Sequence, residues 1–412
     1  MKSTAERFLE YISVDTTSRE ESSSCPSSET QWDLARMLET EMREIGLMDV
    51  ELDEHGYVTG TIPANVEGVP VLGLISHMDT SSAVPGGPIH PQLVDYRGGD
   101  ILLNGKLDLW LKEEEFPELL DYQGKTLIVT DGTTLLGADD KAGIAEILTA
   151  AERMMKDTSF RHGRIRICFT PDEEISRGTQ YFDVKKFGAD AAYTVDGGAL
   201  GELEYENFNG ATANITIHGR SIHPGMSKGR MLNALMVAWE LQGMLPAHEQ
   251  PSYTEGYEGF YHLSSMSGSV AECSLKYIIR QHDRKEYEAK KARMEKIAAY
   301  LNEKYGSGTV ELSLRDMYFN MQEIIKDHMH LIDKANAAFK ACGVEPRTIP
   351  VRGGTDGARL SFMGLPCPNL STGGHNFHGV FEYIPVESME SMADVLVSLA
   401  GEFVKEAQRG EQ

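Results

Sequence analysis

The sequence predicts an α/β protein with a mostly parallel sheet, helices on both faces of that sheet, and an inserted α+β domain. Strand and helix patterns alternate through the first half of the chain and again near its C-terminus, which is typical of a parallel sheet covered by helices. Between these parts, residues 211–219 alternate between apolar and polar positions. With 412 residues, the chain is long enough for two or three domains with ordinary hydrophobic cores.

The first half supplies the elements of the main sheet. An amphipathic helix is expected within residues 1–15, and a second helix over 30–45 with Gly46 as its stop. Residues 69–76, VPVLGLIS, are almost continuously apolar, as in a strand buried on both faces. Further strands are predicted at 126–130, 164–170 and 191–196, and a helix at 141–156. The serine-rich segment 18–30 is expected to be only a polar loop.

A different pattern begins near residue 210. Every second residue from Ala211 to Ile217 is apolar, which favours an antiparallel sheet with one solvated face. The elements that follow are a helix at 229–244, strands at 258–265 and 270–281, a helix at 284–305 and a strand at 309–319. This βαββαβ order is that of a ferredoxin-like domain, which can fold as a compact insertion.

The α/β pattern returns after the insertion. The elements predicted there are a helix at 322–341, a strand near 347–352 and a C-terminal helix from about 386 to 407. We therefore predict a catalytic domain formed by residues 1–207 and 320–412, with a lid domain at 208–319 inserted between them.

Composition narrows the function classes. The chain has 39 Lys and Arg against 63 Asp and Glu, and its net charge of −24 repels nucleic-acid phosphates and anionic membranes. No apolar run approaches the ~20 residues that span a bilayer, and the N-terminus lacks the apolar core of a secretory signal. The five scattered cysteines form no CxxC pair and are expected to be reduced thiols. These features predict a cytoplasmic enzyme that binds neither nucleic acid nor a membrane.

Acidic residues and histidines stand where predicted strands end, where a predicted helix begins, or in a glycine-rich segment. They are His77, Asp79, Asp139, Asp140, Glu173, Glu174, Asp196 and His378. Because ligands of open α/β sheets bind beyond the carboxyl ends of the strands, we expect these side chains to converge on one crevice. Taken singly, each would be a helix cap or a solvated loop residue, but independent caps do not explain the joint pattern. Carboxylates with two imidazoles and no thiolate are typical of a catalytic Zn²⁺, Mn²⁺ or Co²⁺ site.

Five segments that carry these residues resemble the metal-site motifs of a known superfamily. They are SHMDT (76–80), GADDKAG (137–143), TPDEE (170–174), VDGG (195–198) and GGHNFHG (373–379). On these motifs the chain is identified as a member of the co-catalytic di-zinc peptidases, which include aminoacylase and glutamate carboxypeptidase. It most closely resembles the tripeptide aminopeptidase branch, through segments 98–101, 116–119, 130–143 and 352–366. The resemblance spans essentially the whole chain and implies a fold of the zinc-exopeptidase type.

The resemblance also implies two zinc ions per subunit, with Mn²⁺ or Co²⁺ as possible substitutes. His77 and Asp196 would bind one ion, and Glu174 and His378 the other. Asp139 would bridge the two ions, as a shared carboxylate does in two-metal sites.

Three further residues are implied as catalytic. Asp79 looks like the carboxylate that orients the imidazole of His77. Glu173 would be the general base, because a base must adjoin the reacting water without being a ligand, and the pair Glu173 and Glu174 supplies one of each. His223 matches the family histidine that stabilises the oxyanion, so closure of the lid would complete the site. Without the resemblance, His223 would be a surface turn histidine.

Three residues are candidates for binding the substrate. Arg352, in the segment RGGTDG, could hold the C-terminal carboxylate of a peptide bidentately. Arg280 and Asn233 in the lid are candidates for the same role. Alternatively, Arg280 pairs with a surface acid such as Asp283, and Asn233 caps the lid helix.

The activity implied by these assignments is hydrolysis of the first peptide bond of a tripeptide, with Glu173 as the base. A dipeptidase or an N-acyl-amino-acid amidohydrolase of the same superfamily would carry the same motifs. A catalytically silent peptide-binding protein is disfavoured because the base and the ligands are all present, and no GxGxxG supports a dinucleotide enzyme. Pairing of lid domains in a homodimer would place His223 over the partner's site, and a monomer fits the sequence equally well. The physiological metal and the preferred N-terminal residue stay open.

Overall fold

The computed structural model describes residues 1–410 and divides the chain into two compact units. The first unit is made of Met1–Tyr205, Ile324–Ile349 and the residues from Thr355 on, and the second of Glu206–Glu323 and Pro350–Gly354. The last of these segments joins the second unit because the backbone of Val351 exchanges hydrogen bonds with those of Glu206 and Phe208.

The helices, in chain order, are α1 (Thr4–Tyr11), α2 (Thr30–Ile45), α3 (Ala138–Lys156), α4 (Val184–Phe187), α5 (Ala234–Gly243), α6 (Arg284–Tyr305), α7 (Gln322–Ile325), α8 (His330–Ala341), α9 (Asp356–Phe362) and α10 (Val386–Gly410). The strands are β1 (Met48–Leu52), β2 (Val58–Ile62), β3 (Leu72–His77), β4 (Gln92–Asp95), β5 (Ile101–Asn104), β6 (Leu109–Leu111), β7 (Thr126–Val129), β8 (Ile165–Thr170), β9 (Ala191–Gly197), β10 (Glu202–Glu204), β11 (Asn209–His218), β12 (Phe260–Gly268), β13 (Glu272–Gln281), β14 (Val310–Tyr318), β15 (Arg347–Thr348), β16 (Asn369–Ser371) and β17 (Tyr383–Pro385).

The first unit is built on an eight-stranded sheet with the order β1-β2-β8-β3-β9-β16-β10-β15. The central strands β8, β3, β9 and β16 are parallel, so their carboxyl ends meet at one edge of the sheet. The outer strands β1 and β2 pair antiparallel with their neighbours, and β10 pairs antiparallel with β16 but parallel with β15. The predicted α/β class is confirmed, and the antiparallel outer strands are an addition to it.

Helices cover both faces of this sheet. One face carries a buried cluster with members from β3, β8, β9, α4 and α9, which include Ile75, Cys168, Ala192, Phe187 and Leu360. Tyr193, the next residue in β9, points to the opposite face, where its hydroxyl donates to the carbonyl of Leu331 in α8 at 2.7 Å. Burial on both faces explains why the central strands are continuously apolar in sequence.

Helix α3 lies close against the strand that carries one candidate ligand. At Gly143 of α3, a Cβ atom would lie 2.0 Å from the carbonyl oxygen of Val195 in β9. Only glycine allows this approach, which brings the start of α3, with Asp139, next to the end of β9, with Asp196.

The second unit has a four-stranded antiparallel sheet with the order β12-β13-β11-β14. Together with α5 and α6 it follows the predicted βαββαβ order, so the ferredoxin-like character of this part is confirmed. The alternation from Ala211 to Ile217 points these apolar side chains into a core shared with Leu241 and Leu301 of the two helices. Helix α5 begins at Ala234, later than predicted from the pattern.

Three regions of the first unit differ from the sequence prediction. Residues 92–129 form the hairpin β5-β6 and supply β4 and β7, which join β17 in a three-stranded sheet of order β17-β7-β4; of these strands only β7 was predicted. The helix predicted at 322–341 is divided into α7 and α8 by a turn at residues 326–329. The strand expected near 347–352 is limited to two residues, because the chain after Thr348 turns to the second unit.

Candidate two-metal active site

The five candidate metal ligands belong to the first unit, and the structure brings them together at the carboxyl edge of the main sheet. Their positions are the end of β3 for His77, the end of β9 for Asp196, the turn after β8 for Glu174, the start of α3 for Asp139 and the loop between β16 and β17 for His378. His378 has a left-handed backbone, with φ of +62°, which is uncommon outside glycine and frequent at functional sites.

The five side chains form two groups that share Asp139. In the first group, Nε2 of His77 lies 2.9 Å from Oδ1 of Asp139 and 3.3 Å from Oδ1 of Asp196. In the second group, Nε2 of His378 lies 3.0 Å from Oδ2 of Asp139 and 2.9 Å from Oε1 of Glu174. The potential ligand atoms of each group lie within 4.8 Å of one another. Asp139 therefore presents one carboxylate oxygen to each group.

Asp79 supports both His77 and the two glutamates that follow β8. It is fully buried, and Nδ1 of His77 lies 3.3 Å from its Oδ1 and 3.0 Å from its carbonyl oxygen. Its Oδ1 and Oδ2 accept the backbone N–H groups of Glu173 (2.9 Å) and Glu174 (3.1 Å). Nδ1 of His77 faces two oxygen atoms of Asp79, so it carries the proton and donates a hydrogen bond to them. In a neutral ring the lone pair then lies on Nε2, which faces the two aspartates of the first group.

Glu173 lies beside the first group without joining either group. It lines a narrow gap, with no room for a water molecule, together with Ile75, Ser76, His77, Thr170, Thr194, Asp196 and Asp356. Burial, and then the negative charge of Asp356, raise the pKa of the Glu173 carboxyl well above its ordinary value. A carboxyl with a raised pKa at this place can take up and hold a proton.

Two further buried acids hold the backbone at the ligands. Oδ2 of Asp140 accepts the backbone N–H of His77 at 3.0 Å. The carboxylate of Glu382 accepts three backbone N–H groups within residues 136–139, at 2.7, 2.9 and 3.2 Å. The sequence prediction missed Glu382 because its partners lie more than 240 residues away and no local pattern connects them.

Burial and the proximity of like charges set the protonation of the cluster. Burial raises the pKa of both Asp196 and Glu174 to about 7, because the charged form loses its water. Hydrogen bonds to Asp139 and Glu174 raise the pKa of His378 to about 11. Burial alone would lower the pKa of His77, but the charge of Asp196 and hydrogen bonds to the surrounding carboxylates more than offset this and raise it. The cluster therefore favours bound positive charge.

The donor set fits two divalent metal ions. Each group offers one imidazole nitrogen, one carboxylate of its own and one oxygen of Asp139, with no thiolate. This mixture is typical of catalytic zinc, manganese or cobalt sites. A cation in each group would also offset the repulsion between the buried carboxylates, which the two imidazoles only partly balance.

The serine-rich segment 18–30 is a loop up to the start of α2, as predicted, and it is anchored to the turn after β8. Asp172, in that turn, is fully buried with φ of +58°. Its carboxylate accepts hydrogen bonds from the N–H (2.7 Å) and hydroxyl (2.5 Å) of Ser27 and from the Gln31 amide (2.8 Å). Arg177 donates to two carbonyls of the same segment.

The other predicted site residues belong to the second unit. His223 is exposed, and its Nδ1 accepts the backbone N–H of Gly225 at 3.2 Å. Asn233 is the N-cap of α5 and accepts the backbone N–H of Leu235 at 3.0 Å, which agrees with the capping alternative.

Arg280 is held by the backbone of the second unit. Its Nη1 donates to the carbonyls of Ile279 (2.9 Å) and Ala211 (3.3 Å). Its guanidinium carbon lies 5.0 Å from the ring centroid of Tyr318. These contacts differ from the ion pair with Asp283 that the sequence left open.

Arg352 also makes its contacts within the second unit. Its Nη1 and Nη2 donate to three backbone carbonyls and one hydroxyl within residues 254–258, at 2.7 to 3.2 Å. Its guanidinium lies over the rings of Phe208 and Phe260, at 5.1 and 5.7 Å. Both ends of the guanidinium fork are therefore engaged by the protein itself.

With this geometry in place, comparison with known proteins gives two kinds of match. Residues 205–309 match the family model of the peptidase dimerisation domain. Among solved structures, a tripeptidase from Staphylococcus aureus has a TM-score of 0.78 at 23% identity and covers 98% of each chain. A dinuclear metal-binding peptidase of the M20 family from Bacillus subtilis has a TM-score of 0.66 at 14% identity, over 98% of this chain and 97% of that one. These structures share the fold.

Sequence similarity to curated proteins is much higher. Peptidase T of Caldanaerobacter subterraneus subsp. tengcongensis is 54% identical over 401 residues, which cover 97% of this chain and 98% of that protein. An identity of this size over nearly the full length agrees with the resemblance read from the five motifs. The chain belongs to the peptidase T family.

Proposed function

We propose that this protein is a two-metal aminopeptidase that removes the N-terminal residue from tripeptides. The observation that carries the proposal is the Asp139 carboxylate, whose two oxygens face two imidazoles at 2.9 and 3.0 Å. A carboxylate shared in this way is typical of hydrolases with two metal ions. Membership of the peptidase T family, and the shared fold with a tripeptidase, support a tripeptide as the substrate.

Zinc is the metal that we propose, with manganese or cobalt as substitutes. His77 and Asp196 would hold one ion, Glu174 and His378 the other, and Asp139 both. When bound, the ions supply Lewis-acid polarisation of the scissile carbonyl and lower the pKa of the attacking water. The donor set of imidazole and carboxylate supports this choice.

Glu173 moves the proton in the proposed reaction. It takes a proton from the attacking water as the water oxygen bonds to the carbonyl carbon of the first residue. As the C–N bond breaks, Glu173 gives that proton to the leaving amine nitrogen. Burial, which raises the pKa of Glu173, suits a group that must hold the proton between these two steps. Asp79 keeps Glu173 in place through the N–H bond of 2.9 Å.

His223 is the donor that we propose for the developing oxyanion. Since its Nδ1 accepts the N–H of Gly225, the neutral ring carries its proton on Nε2. Nε2 is therefore a hydrogen-bond donor on an exposed side chain, as this role requires. Whether His223 serves its own chain or a partner's depends on the oligomeric state.

Arg352, Arg280 and Asn233 are the proposed ligands of the substrate carboxylate. Arg352 would have to release its bonds to residues 254–258 before its fork could receive a carboxylate. In Arg280 the contacts to backbone carbonyls use Nη1, so Nη2 is the better placed donor. In Asn233 the helix cap uses the side-chain oxygen and leaves the NH₂ group as a donor.

We further propose that the chain forms a homodimer through its second unit and works in the cytoplasm. The match of residues 205–309 to a peptidase dimerisation domain supports the dimer. Helix α5 exposes Met236 (62%) and Trp239 (73%), and β12 is an edge strand open to pairing. Five free cysteines fit a reducing compartment. Light scattering measures the molar mass in solution and so tests the dimer. We expect the wild type to have twice the chain mass and Trp239→Glu to have the mass of a single chain.

A metal-dependence assay tests the function. The protein is stripped with a chelator and restored with Zn²⁺ or Mn²⁺. Trialanine, dialanine, tetra-alanine and N-acetyl-trialanine are then compared as substrates. Metal-restored release of the N-terminal residue from trialanine alone would support the proposal. Equal cleavage of dialanine would indicate a dipeptidase, and preference for the acetylated peptide an amidohydrolase. A protein that holds two metal ions and hydrolyses none of the four would contradict the proposal.

A further inference from the structure

Glu382 is a buried carboxylate that connects two loops carrying metal ligands. It is 1% exposed and follows His378 by four residues in the loop that leads into β17. Its Oε2 accepts the backbone N–H groups of Leu136 (2.7 Å) and Gly137 (2.9 Å), and its Oε1 accepts that of Asp139 (3.2 Å). Both carboxylate oxygens are thus used on the backbone of the other loop.

These N–H groups lie in the segment that leads into the regular part of α3, where Asp139 and Asp140 have non-helical backbone torsions. Helical hydrogen bonding therefore does not supply acceptors for them, and buried N–H groups need an acceptor. Gly137 has no side chain, and no side-chain cap is formed there. Glu382 supplies from a distant part of the chain the acceptor that these amides lack locally.

The two loops also adjoin through backbone packing. At Gly374, in the loop of His378, a Cβ atom would lie 3.5 Å from the Cβ of Ala138, which directly precedes Asp139. Strand β17, which starts directly after Glu382, pairs antiparallel with β7. Glu382 thus joins the two loops in addition to the direct contact between His378 and Asp139.

The geometry points to Glu382 as a positioning residue of the two-metal centre. By fixing the backbone of Asp139 to the loop of His378, it holds these two ligands at the 3.0 Å separation that lets one ion bind both. The inference rests on the proposed function, because it assumes that the two groups bind metal. Residues that support ligands from behind typically change metal affinity by roughly 10- to 100-fold when they are replaced.

Glu382→Gln is the informative substitution. Because both oxygens of Glu382 accept N–H groups, the NH₂ of a glutamine must face at least one donor. We expect roughly 10- to 100-fold weaker binding of at least one metal ion. Glu382→Asp keeps both oxygens and the charge on a side chain one methylene shorter, so its metal affinity should lie between those of Glu382→Gln and the wild type.

Glu387→Gln is the matched control. Both oxygens of Glu387 accept one and the same N–H, that of Thr126 at the start of β7, at 3.2 and 3.1 Å. A glutamine keeps one of these acceptors, so the hydrogen bond to Thr126 survives. The substitution removes only the charge of the half-buried Glu387 side chain. This variant should bind metal like the wild type.

The test is titration of the chelator-treated full chain with Co²⁺, followed by calorimetry and by the visible spectrum of bound cobalt. Weaker cobalt binding and an altered spectrum in Glu382→Gln, an intermediate effect in Glu382→Asp and wild-type binding in Glu387→Gln would support the inference. Wild-type affinity and spectrum in Glu382→Gln would overturn it, as would equal losses in Glu382→Gln and Glu387→Gln. If Glu382→Gln does not fold, an unchanged cobalt titration of Glu382→Asp overturns it. Failure of the wild type to hydrolyse trialanine despite two bound ions would contradict the proposed function alone.

Discussion

Replacing Asp79 by asparagine tests whether one buried carboxylate holds both the base and a metal ligand in place. Its two oxygens accept different N–H groups, those of Glu173 at 2.9 Å and Glu174 at 3.1 Å. An amide offers only one acceptor oxygen, so one of these N–H groups must face an NH₂ group. Asp79 is fully buried, and no water can replace the lost partner. Losing a hydrogen bond to a buried charged group costs about 1.5 to 3 kcal/mol.

This free energy should appear in both stability and catalysis. If all of it is lost from the transition state, kcat for trialanine falls about 10- to 150-fold, since each 1.4 kcal/mol is a factor of ten. The same loss should lower the urea midpoint of the metal-free protein. The assays are initial rates at saturating Zn²⁺ and trialanine, and urea unfolding after chelation.

Asp53→Asn is the control for the loss of charge. Asp53 also accepts two backbone N–H groups, from His55 (2.9 Å) and Tyr57 (3.0 Å), but both bonds end on Oδ1. An asparagine can keep both, so kcat should be unchanged and the loss of stability should stay within about 0.5 kcal/mol. Equal effects of the two substitutions, or wild-type kcat in Asp79→Asn, would refute the reasoning.

Three further outcomes are expected. Glu173→Gln should keep two metal ions, counted by atomic absorption, while kcat falls about 10²- to 10⁴-fold; most of the activity remaining would exclude Glu173 as the base. His378→Ala should bind one ion fewer per chain, and two retained ions would contradict its assignment as a ligand. Burial raises the pKa of Glu204 to about 8, so the folded chain holds a proton that the unfolded chain releases above about pH 4.3. Stability should therefore fall as pH rises from 5 to 8, by up to about 1.4 kcal/mol per unit from this group. Because burial also raises the pKa of Asp196 and Glu174 to about 7, Glu204→Gln should reduce the fall of the urea midpoint over this range without removing it. An unchanged slope would show that Glu204 does not contribute.

The central strands and their candidate ligands could be predicted because two signals coincide in the sequence. Strand β3 is a mostly apolar run that ends in His77, and strand β8, in which Arg166 interrupts the apolar residues, leads to Glu174. Parallel pairing of such strands places their ends side by side, so residue type and strand order together predict a cluster. The outer strands lack this signal. Strand β10, for example, is three residues long, and its place in the sheet depends on pairing with β16 and β15, which are distant in sequence.

Contacts between distant backbone and side chains could not be predicted in this way. Glu382 meets the start of α3 across more than 240 residues, and Asp172 meets Ser27 across 145. In both cases the acid accepts backbone N–H groups, which every residue type except proline offers, so these partners leave no mark on the sequence. The motif analysis therefore finds the residues of the two candidate metal groups but misses those that hold the loops behind them.

Arg352 shows the complementary limit. An arginine in a glycine-rich segment predicts an available guanidinium, yet its fork is occupied by carbonyls of residues 254–258 and stacked on Phe208 and Phe260. Whether a side chain can bind a substrate depends on how many of its hydrogen-bond donors the fold already uses. The sequence shows only how many donors the side chain has. The same count separates the three carboxylate-binding candidates, because Arg280 bonds the backbone through Nη1 and Asn233 through its oxygen. If tripeptides are selected by length, we expect the substrate carboxylate to bind donors that the second unit leaves unused. Arg280 is therefore a better candidate for this role than Arg352.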